Sequence, residues 1–312
     1  MRVLVMGAGA IGGFVGGLLI RSGGDVTLVA RGRQLEALQE QGLRIRREDG
    51  SLQIKPVVAV RSPAQADGPF DLVALAVKCY DVVDAARAVL PVLGPGTAVL
   101  TLQNGVDAPG QLSGIVGSDH VLPGVALFTV HTESPGVLAQ TGTMQRLTLG
   151  EWNGEPTPRV KEIAGVLTAA GFTVTISPDP MRAVWEKFAL LAPHATISAA
   201  CQVALGEILP VPDGRELYRQ LIGEVAAVAR SSGVALPADH EEKTLAFLEG
   251  YSPKARASLA IDYERKHRVE LEHLTGTVVH RGEQLGVPTP GFAALYAVLK
   301  VQAIAFGGLA DR

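Results

Sequence analysis

The chain opens on a run of apolar positions, RVLVM, which breaks at a cluster of glycines and resumes as a helical stretch, FVGGLLIRSG. Further short apolar runs, DVTLVA, DLVALAV and TAVLTL, return through the first hundred residues with helical stretches among them. This alternation is the pattern of βαβ units, which feed parallel strands into one sheet and cover it with helices. Between the second and third runs, LRIRREDGSLQIKP alternates apolar and polar residues on both sides of Asp49-Gly50 and predicts a small hairpin. VLPGVALFTV and the segment 136–150 predict antiparallel strands added to the edge of the parallel sheet.

The period changes near Pro178. In SPDP, Asp179 is placed to cap a helix and Pro180 to open it. Beyond it Leu217, Leu221, Val225 and Val228 recur at helical spacing, and Leu259, Tyr263, Leu274 and Val278 mark another helical region. The expected organisation is an α/β nucleotide domain over 1–178 and a mainly helical domain over 179–312. A length of 312 residues, too great for one ordinary core, agrees with two domains.

Composition narrows the function classes. With 47% apolar and 19% charged residues the chain is not disordered, and a net charge of −3 offers no general attraction to nucleic acid or a membrane surface. The stretch from Phe188 to Leu205 is interrupted by Pro193, His194 and Gln202, so it reads as a core helix and not a membrane span. The apolar N-terminal stretch is broken by glycines too early for a secretory signal. Cys79 and Cys201 are far apart, and His131, His267, His273 and His280 form no short cluster, so neither a disulfide framework nor a metal site is expected. A cytoplasmic location fits these features. Oligomeric state is left open, a homodimer included.

The glycine cluster carries the first chemistry. Gly7, Ala8, Gly9, Ala10, Ile11 and Gly12 spell GAGAIG directly after a strand and open a helix. That context suits a dinucleotide: Gly7 permits a tight turn, Gly9 lets the backbone approach a pyrophosphate, and Gly12 allows close packing of helix on strand. Phosphates would then meet the N–H groups of the helix N-terminus. The second strand, DVTLVA, ends without the carboxylate that would bind an adenine ribose hydroxyl, and Arg31 and Arg33 follow it. Arginines there can pair with a 2′-phosphate, so NADP(H) is the expected cofactor. Lys78, after DLVALAV, and Gln103-Asn104, after TAVLTL, lie past strand ends on the edge where open α/β sheets bind ligands.

With those residues in view, the chain resembles the ketopantoate reductase family almost from end to end. The matching elements are GAGAIG, Arg31, VKCYD with Lys78, LQNGV with Asn104, WEKF with Lys187, SLAIDYERKHRVELEHLTG and GVPTP. The resemblance implies a Rossmann-type doubly wound α/β domain, a second, mainly α-helical C-terminal domain and an active site in the cleft between them. It also implies NADPH-dependent reduction of a 2-oxo acid, 2-dehydropantoate to pantoate. By motif position Lys187 becomes the general acid, meeting the alkoxide charge that hydride addition creates. Glu270 becomes the acid that orients lysine and substrate, Ser258 a substrate contact, Asp262 a further acidic position, and Lys78 and Asn104 cofactor contacts, with Asn104 also facing substrate.

Two departures from the family change the expectation. Where relatives commonly carry asparagines four and eight residues after the lysine, this chain has Leu191 and Ala195, which favours a more apolar 2-oxo acid and a D-2-hydroxy acid product. His194 lies near the face of Lys187; it either replaces a lost asparagine at the substrate carboxylate or satisfies a helix that Pro193 bends. The family's usual glycine break before the glutamate is replaced here by Arg265, Lys266, His267 and Arg268. On one unbroken helix Ser258 and Glu270 would stand about 120° apart. A non-catalytic NADP(H)-binding sensor is the reading from another class, and retention of Lys187 and Glu270 argues against it.

Overall fold

The structure is a computed structural model that describes residues 1–309. The chain forms two compact units, one of residues 1–103 and 107–183, the other of residues 104–106 and 184 onward. In the first unit the elements run β1 (Arg2–Met6), α1 (Ala10–Arg21), β2 (Asp25–Val29), α2 (Gly32–Gln41), β3 (Leu43–Arg47), β4 (Gly50–Ile54), β5 (Val58–Val60) and β6 (Phe70–Leu75). They continue through α3 (Val82–Val89), β7 (Leu93–Thr101), α4 (Ala108–Val116), β8 (Val121–Leu122), β9 (Gly124–Ser134), β10 (Val137–Leu149), α5 (Pro158–Ala169) and β11 (Thr173–Ile176).

The main sheet has the order β5-β2-β1-β6-β7-β8, every pair parallel. In order of entry its strands therefore read 3-2-1-4-5-6, the doubly wound arrangement, with the direction of winding reversing at β1 and β6. A ligand crevice is expected at the carboxyl ends of those two strands. The central run VLVM is buried on both faces, as a middle strand of a covered parallel sheet must be.

The antiparallel strands expected at the edge of this sheet instead belong to a second one. That sheet has the order β11-β10-β3-β4, with β9 paired antiparallel to β10, and of the stretch VLPGVALFTV only β8 joins the main sheet. The reason lies in α1. A methyl at Gly16 would approach Leu28 and Val5 of the main sheet, whereas one at Gly17 would meet Leu43, Ile54 and Ile45 of the second. Helix α1 is thus covered from two sides, and glycines let both sheets close on it. The expected hairpin is present as β3 and β4, with Arg47 opposite Gly50 and the turn at Glu48-Asp49.

In the second unit the regular elements of the described residues are helical. α6 (Pro180–Cys201) crosses the boundary between the units, followed by α7 (Leu205–Ile208), α8 (Pro212–Ser231), α9 (His240–Glu249), α10 (Ser258–Glu264), α11 (Thr275–Leu285) and α12 (Pro290–Ala305). Asp179 Oδ1 accepts the Arg182 N–H at 3.0 Å, so the N-cap read from SPDP is formed. Trp185, Phe188, Ala189 and Ala192 bury one side of α6, and Tyr218, Leu221, Val225 and Val228 bury the matching stripe of α8. The buried Glu224 carboxylate accepts the Gly291 and Phe292 N–H groups at 2.9 Å each, capping α12 just after GVPTP. No helix of the described residues is long and apolar enough to cross a membrane.

Candidate active site

The first unit builds a cradle at the end of β1. Gly7 has φ +100°, a left-handed conformation that a side chain resists, and a methyl there would lie 2.9 Å from Val77 Cγ1. A Cβ on Gly12 would stand 2.2 Å from the Gly7 carbonyl oxygen and 2.9 Å from Val5 Cγ1, so this position must be bare for α1 to seat on β1. Gly9, the N-cap of α1, is exposed and has nothing within 4 Å of where a methyl would be. The three glycines thus serve turn, packing and open approach, the three uses their spacing predicts. Ala8 is buried beneath the turn, Ala10 and Ile11 are partly buried in the first helical turn, and no acidic side chain competes with an anion there.

Backbone bonds tie this cradle to its neighbours. Ala8 N–H donates to the Val29 carbonyl at the end of β2, and Ala76 N–H donates to Met6 at 2.9 Å. Gln34 donates from Nε2 to the Ala8 carbonyl while its Oε1 accepts the Gly136 N–H, both at 2.9 Å. Sequence reading passed over Gln34; its only signal was a position three residues after Arg31. Gln103 donates to the Leu75 and Val77 carbonyls at 2.8 and 3.3 Å, clamping the end of β6 beside Gly7. Arg31 is the N-cap residue of α2, and it and Arg33 are exposed past the end of β2, where Ala30 is buried and brings no carboxylate. Lys78 is partly buried and starts the short turn Cys79–Asp81 beyond β6.

The second unit gathers a different chemistry. Asn104, although it follows β7, packs with the helical unit, and its Oδ1 accepts a hydrogen bond from Lys187 Nζ at 2.8 Å. Lys187 is partly buried on α6, where Trp185 and Phe188 on either side of it are sunk in the core and hold the helix in register. Arg281 of α11 stands over the Trp185 ring at 5.6 Å. Two residues 83 apart in sequence are thereby joined in one ammonium–amide pair.

The segment carrying Ser258, Asp262 and Glu270 is not one helix. α10 ends at Glu264, Lys266 takes φ +55°, and the His267 N–H closes back on the Asp262 carbonyl at 2.8 Å. A lysine therefore makes the left-handed break for which a glycine is the easier residue. Ser258, exposed, and Asp262, partly buried, share one face of α10 at i and i+4, while Glu270 lies beyond the break, 4% exposed, at the head of the turn Leu271–His273. Glu270 is thus a buried acid and no part of a solvated helix face.

His194 has a partner that neither sequence reading foresaw. Its Nδ1 lies 2.9 Å from Tyr218 Oη on α8, and the two rings stack at 6.4 Å between centroids. Burial lowers the imidazole pKa from 6.5 to about 4 and pushes the Tyr218 hydroxyl upward, so neither group is charged near neutrality. Leu191 is partly buried and Ala195 buried on the same helix. No group of His, Cys, Asp or Glu able to hold a metal ion occurs among the described residues.

A doubly wound sheet with a bare glycine cradle, joined to a helical unit that presents a lysine on an amide, defines a class of two-part nicotinamide-dependent oxidoreductases. Family comparison makes the class specific. Residues 3–154 match the family description "Ketopantoate reductase PanE/ApbA", and residues 179–303 match "Ketopantoate reductase PanE/ApbA C terminal". The chain is 32% identical to a 2-dehydropantoate 2-reductase of Halobacterium salinarum, over 96% of this chain and 98% of that protein. It is 30% identical to an uncharacterized oxidoreductase of Bacillus subtilis, over 96% of this chain and 98% of the other. A solved PanE/ApbA family ketopantoate reductase from Ralstonia eutropha superposes with a TM-score of 0.90 at 32% identity, covering 98% of this chain and all of that one. The chain belongs to the ketopantoate reductase family of oxidoreductases.

Proposed function

We propose that this protein reduces a 2-oxo acid to the 2-hydroxy acid with NADPH, 2-dehydropantoate to pantoate being the reaction its family indicates. The observation that carries the reading is the Lys187 Nζ to Asn104 Oδ1 hydrogen bond of 2.8 Å. An amide oxygen that takes one ammonium hydrogen fixes the direction of the other two, and a carbonyl oxygen placed on one of them is polarised before reaction. When bound, the nicotinamide cofactor supplies the hydride, which adds to C2 of the acid. Lys187 gives its proton to the carbonyl oxygen, so that 2-oxo acid, NADPH and one proton become 2-hydroxy acid and NADP+.

Supporting roles are assigned on the family's motif positions. The open face at Gly9 and the N-terminus of α1 suit the pyrophosphate, and Arg31 the 2′-phosphate, with Lys78 a further cofactor contact. Glu270 orients the lysine and its substrate, and Ser258 and Asp262 contact the acid from one face of α10. A pure NADP(H) sensor has no use for the lysine–amide pair. Leu191, one turn past Lys187, favours an acid with an apolar side chain over a hydroxylated one, and this is the second reading of the substrate. Following NADPH absorbance with 2-dehydropantoate and with branched and aromatic 2-oxo acids separates the two. Oxidation with none of them, despite NADPH binding, would sink both.

A further inference from the structure

Tyr218 is fully buried, and among the described residues its hydroxyl has one hydrogen-bond partner, His194 Nδ1 at 2.9 Å. A buried O–H that donates to nothing is costly. Were Nδ1 protonated, it would donate to Oη and leave the phenolic hydrogen pointing into the apolar core. The hydroxyl must therefore donate to Nδ1, which fixes the imidazole hydrogen on Nε2. Burial keeps the ring neutral at ordinary pH. Tyr218 thus converts His194 into an uncharged donor of fixed direction.

Nε2 has no hydrogen-bond partner among the described residues. The sealed side-chain atoms without partners are on Gln103, Gln140 and Arg256, so Nε2 keeps contact with open space. His194 stands seven residues after Lys187, about 20° around α6 and about 10 Å along it, and side chains on a helix lean back toward its N-terminus. Between them on that face lies Leu191. The strip therefore reads ammonium, apolar side chain, neutral N–H donor.

We propose that His194, held by Tyr218, positions the substrate, its Nε2–H donating a hydrogen bond to a carboxylate oxygen of the 2-oxo acid whose carbonyl oxygen faces Lys187. The inference rests on the reductase reading. In a 2-oxo acid the carboxylate is bonded directly to the carbonyl carbon, so an acid whose carbonyl oxygen takes the Lys187 proton and whose carboxylate is turned along α6 points its anionic end toward His194. A neutral N–H facing an anion makes a charge-assisted bond, stronger than one between neutral groups. Tyr218 is a positioning residue that acts through the tautomer it imposes.

Two measurements test this. Nitrogen NMR of the wild-type protein should show His194 protonated on Nε2 and not on Nδ1, with the Nε2 signal shifting when a 2-oxo acid is added to the NADP+-bound protein. A proton on Nδ1 would overturn the proposal. In steady-state kinetics His194→Leu should raise KM for the oxo acid roughly tenfold or more while kcat changes less. His194→Gln, which keeps a donor, should recover part of that loss, and Tyr218→Phe should raise KM without weakening NADPH binding. An unchanged KM in folded His194→Leu protein, or a KM in folded His194→Gln raised as far as in His194→Leu, would refute the contact. Failure of the wild type to reduce any 2-oxo acid would refute the reductase reading itself, before any variant is compared.

Discussion

At the scale of single residues, the glycines of the cradle make opposite demands on a methyl group. At Gly12 it would collide with the Gly7 carbonyl, at Gly9 it would enter empty space. Gly12→Ala should destabilise the fold by about 1–3 kcal/mol, read as a lowered Tm. Gly9→Ala should leave Tm nearly unchanged and weaken NADPH binding by about tenfold, because the methyl takes room meant for the pyrophosphate. Equal effects of the two on Tm would contradict the division of roles. All three glycines were legible from their spacing. His194 was legible only as a residue on the right face, since its partner Tyr218 comes from another helix and no local pattern encodes that pairing.

His194 also gives the protein a dependence on pH. Desolvation holds its pKa at about 4 against an ordinary 6.5, so below 6.5 the unfolded chain binds a proton that the folded chain does not. Stability contributed by the neutral ring is complete above pH 6.5 and lost as pH falls toward 4, on the order of 2–3 kcal/mol. Denaturant titrations at pH 7.5 and 4.5 should show a larger drop for the wild type than for His194→Gln. Parallel losses in both proteins would contradict the assignment of that step to His194.

At the scale of elements, helix α6 carries Lys187 and is fixed by its cap and its buried stripe. Asp179→Ala should cost about 1 kcal/mol, seen as a lower Tm, because the Arg182 N–H loses its acceptor. The break after α10 offers the reverse experiment. Lys266 occupies φ +55°, so Lys266→Gly should raise Tm slightly, by relief of about 1 kcal/mol of backbone strain. The cap was readable because Ser-Pro-Asp-Pro is a local signal. The break was not, since RKHR carries no turn residue and the left-handed conformation falls on a lysine. Strands β9 and β10 show the same limit: their existence followed from the alternation of the sequence, but their place in a second sheet beside α1 did not, since the bare face that α1 turns to them at Gly13, 3.1 Å from Leu138 of β10 for a methyl there, has meaning only in three dimensions.

At the scale of the whole molecule, the first unit carries the glycine cradle and the second the lysine–amide pair. The class of fold was legible because strand, glycine turn and helix are contiguous, and because the apolar period changes close to α6. Lys187 and Asn104 were each legible through family motifs alone, but their hydrogen bond was not, the two standing 83 residues apart in the sequence. Cofactor choice belongs to this scale too, since it rests on β2 ending without a carboxylate and on Arg31 beyond it. Arg31→Ala should lower kcat/KM for NADPH about tenfold and leave that for NADH nearly unaltered. The central claim, acid catalysis of 2-oxo acid reduction by Lys187, is tested most directly by NADPH oxidation with 2-dehydropantoate and other 2-oxo acids in wild-type and Lys187→Ala protein. The account predicts turnover by the wild type and a loss of kcat of about 10²-fold or more in the variant, with NADPH binding retained. Equal turnover by the two proteins would contradict it.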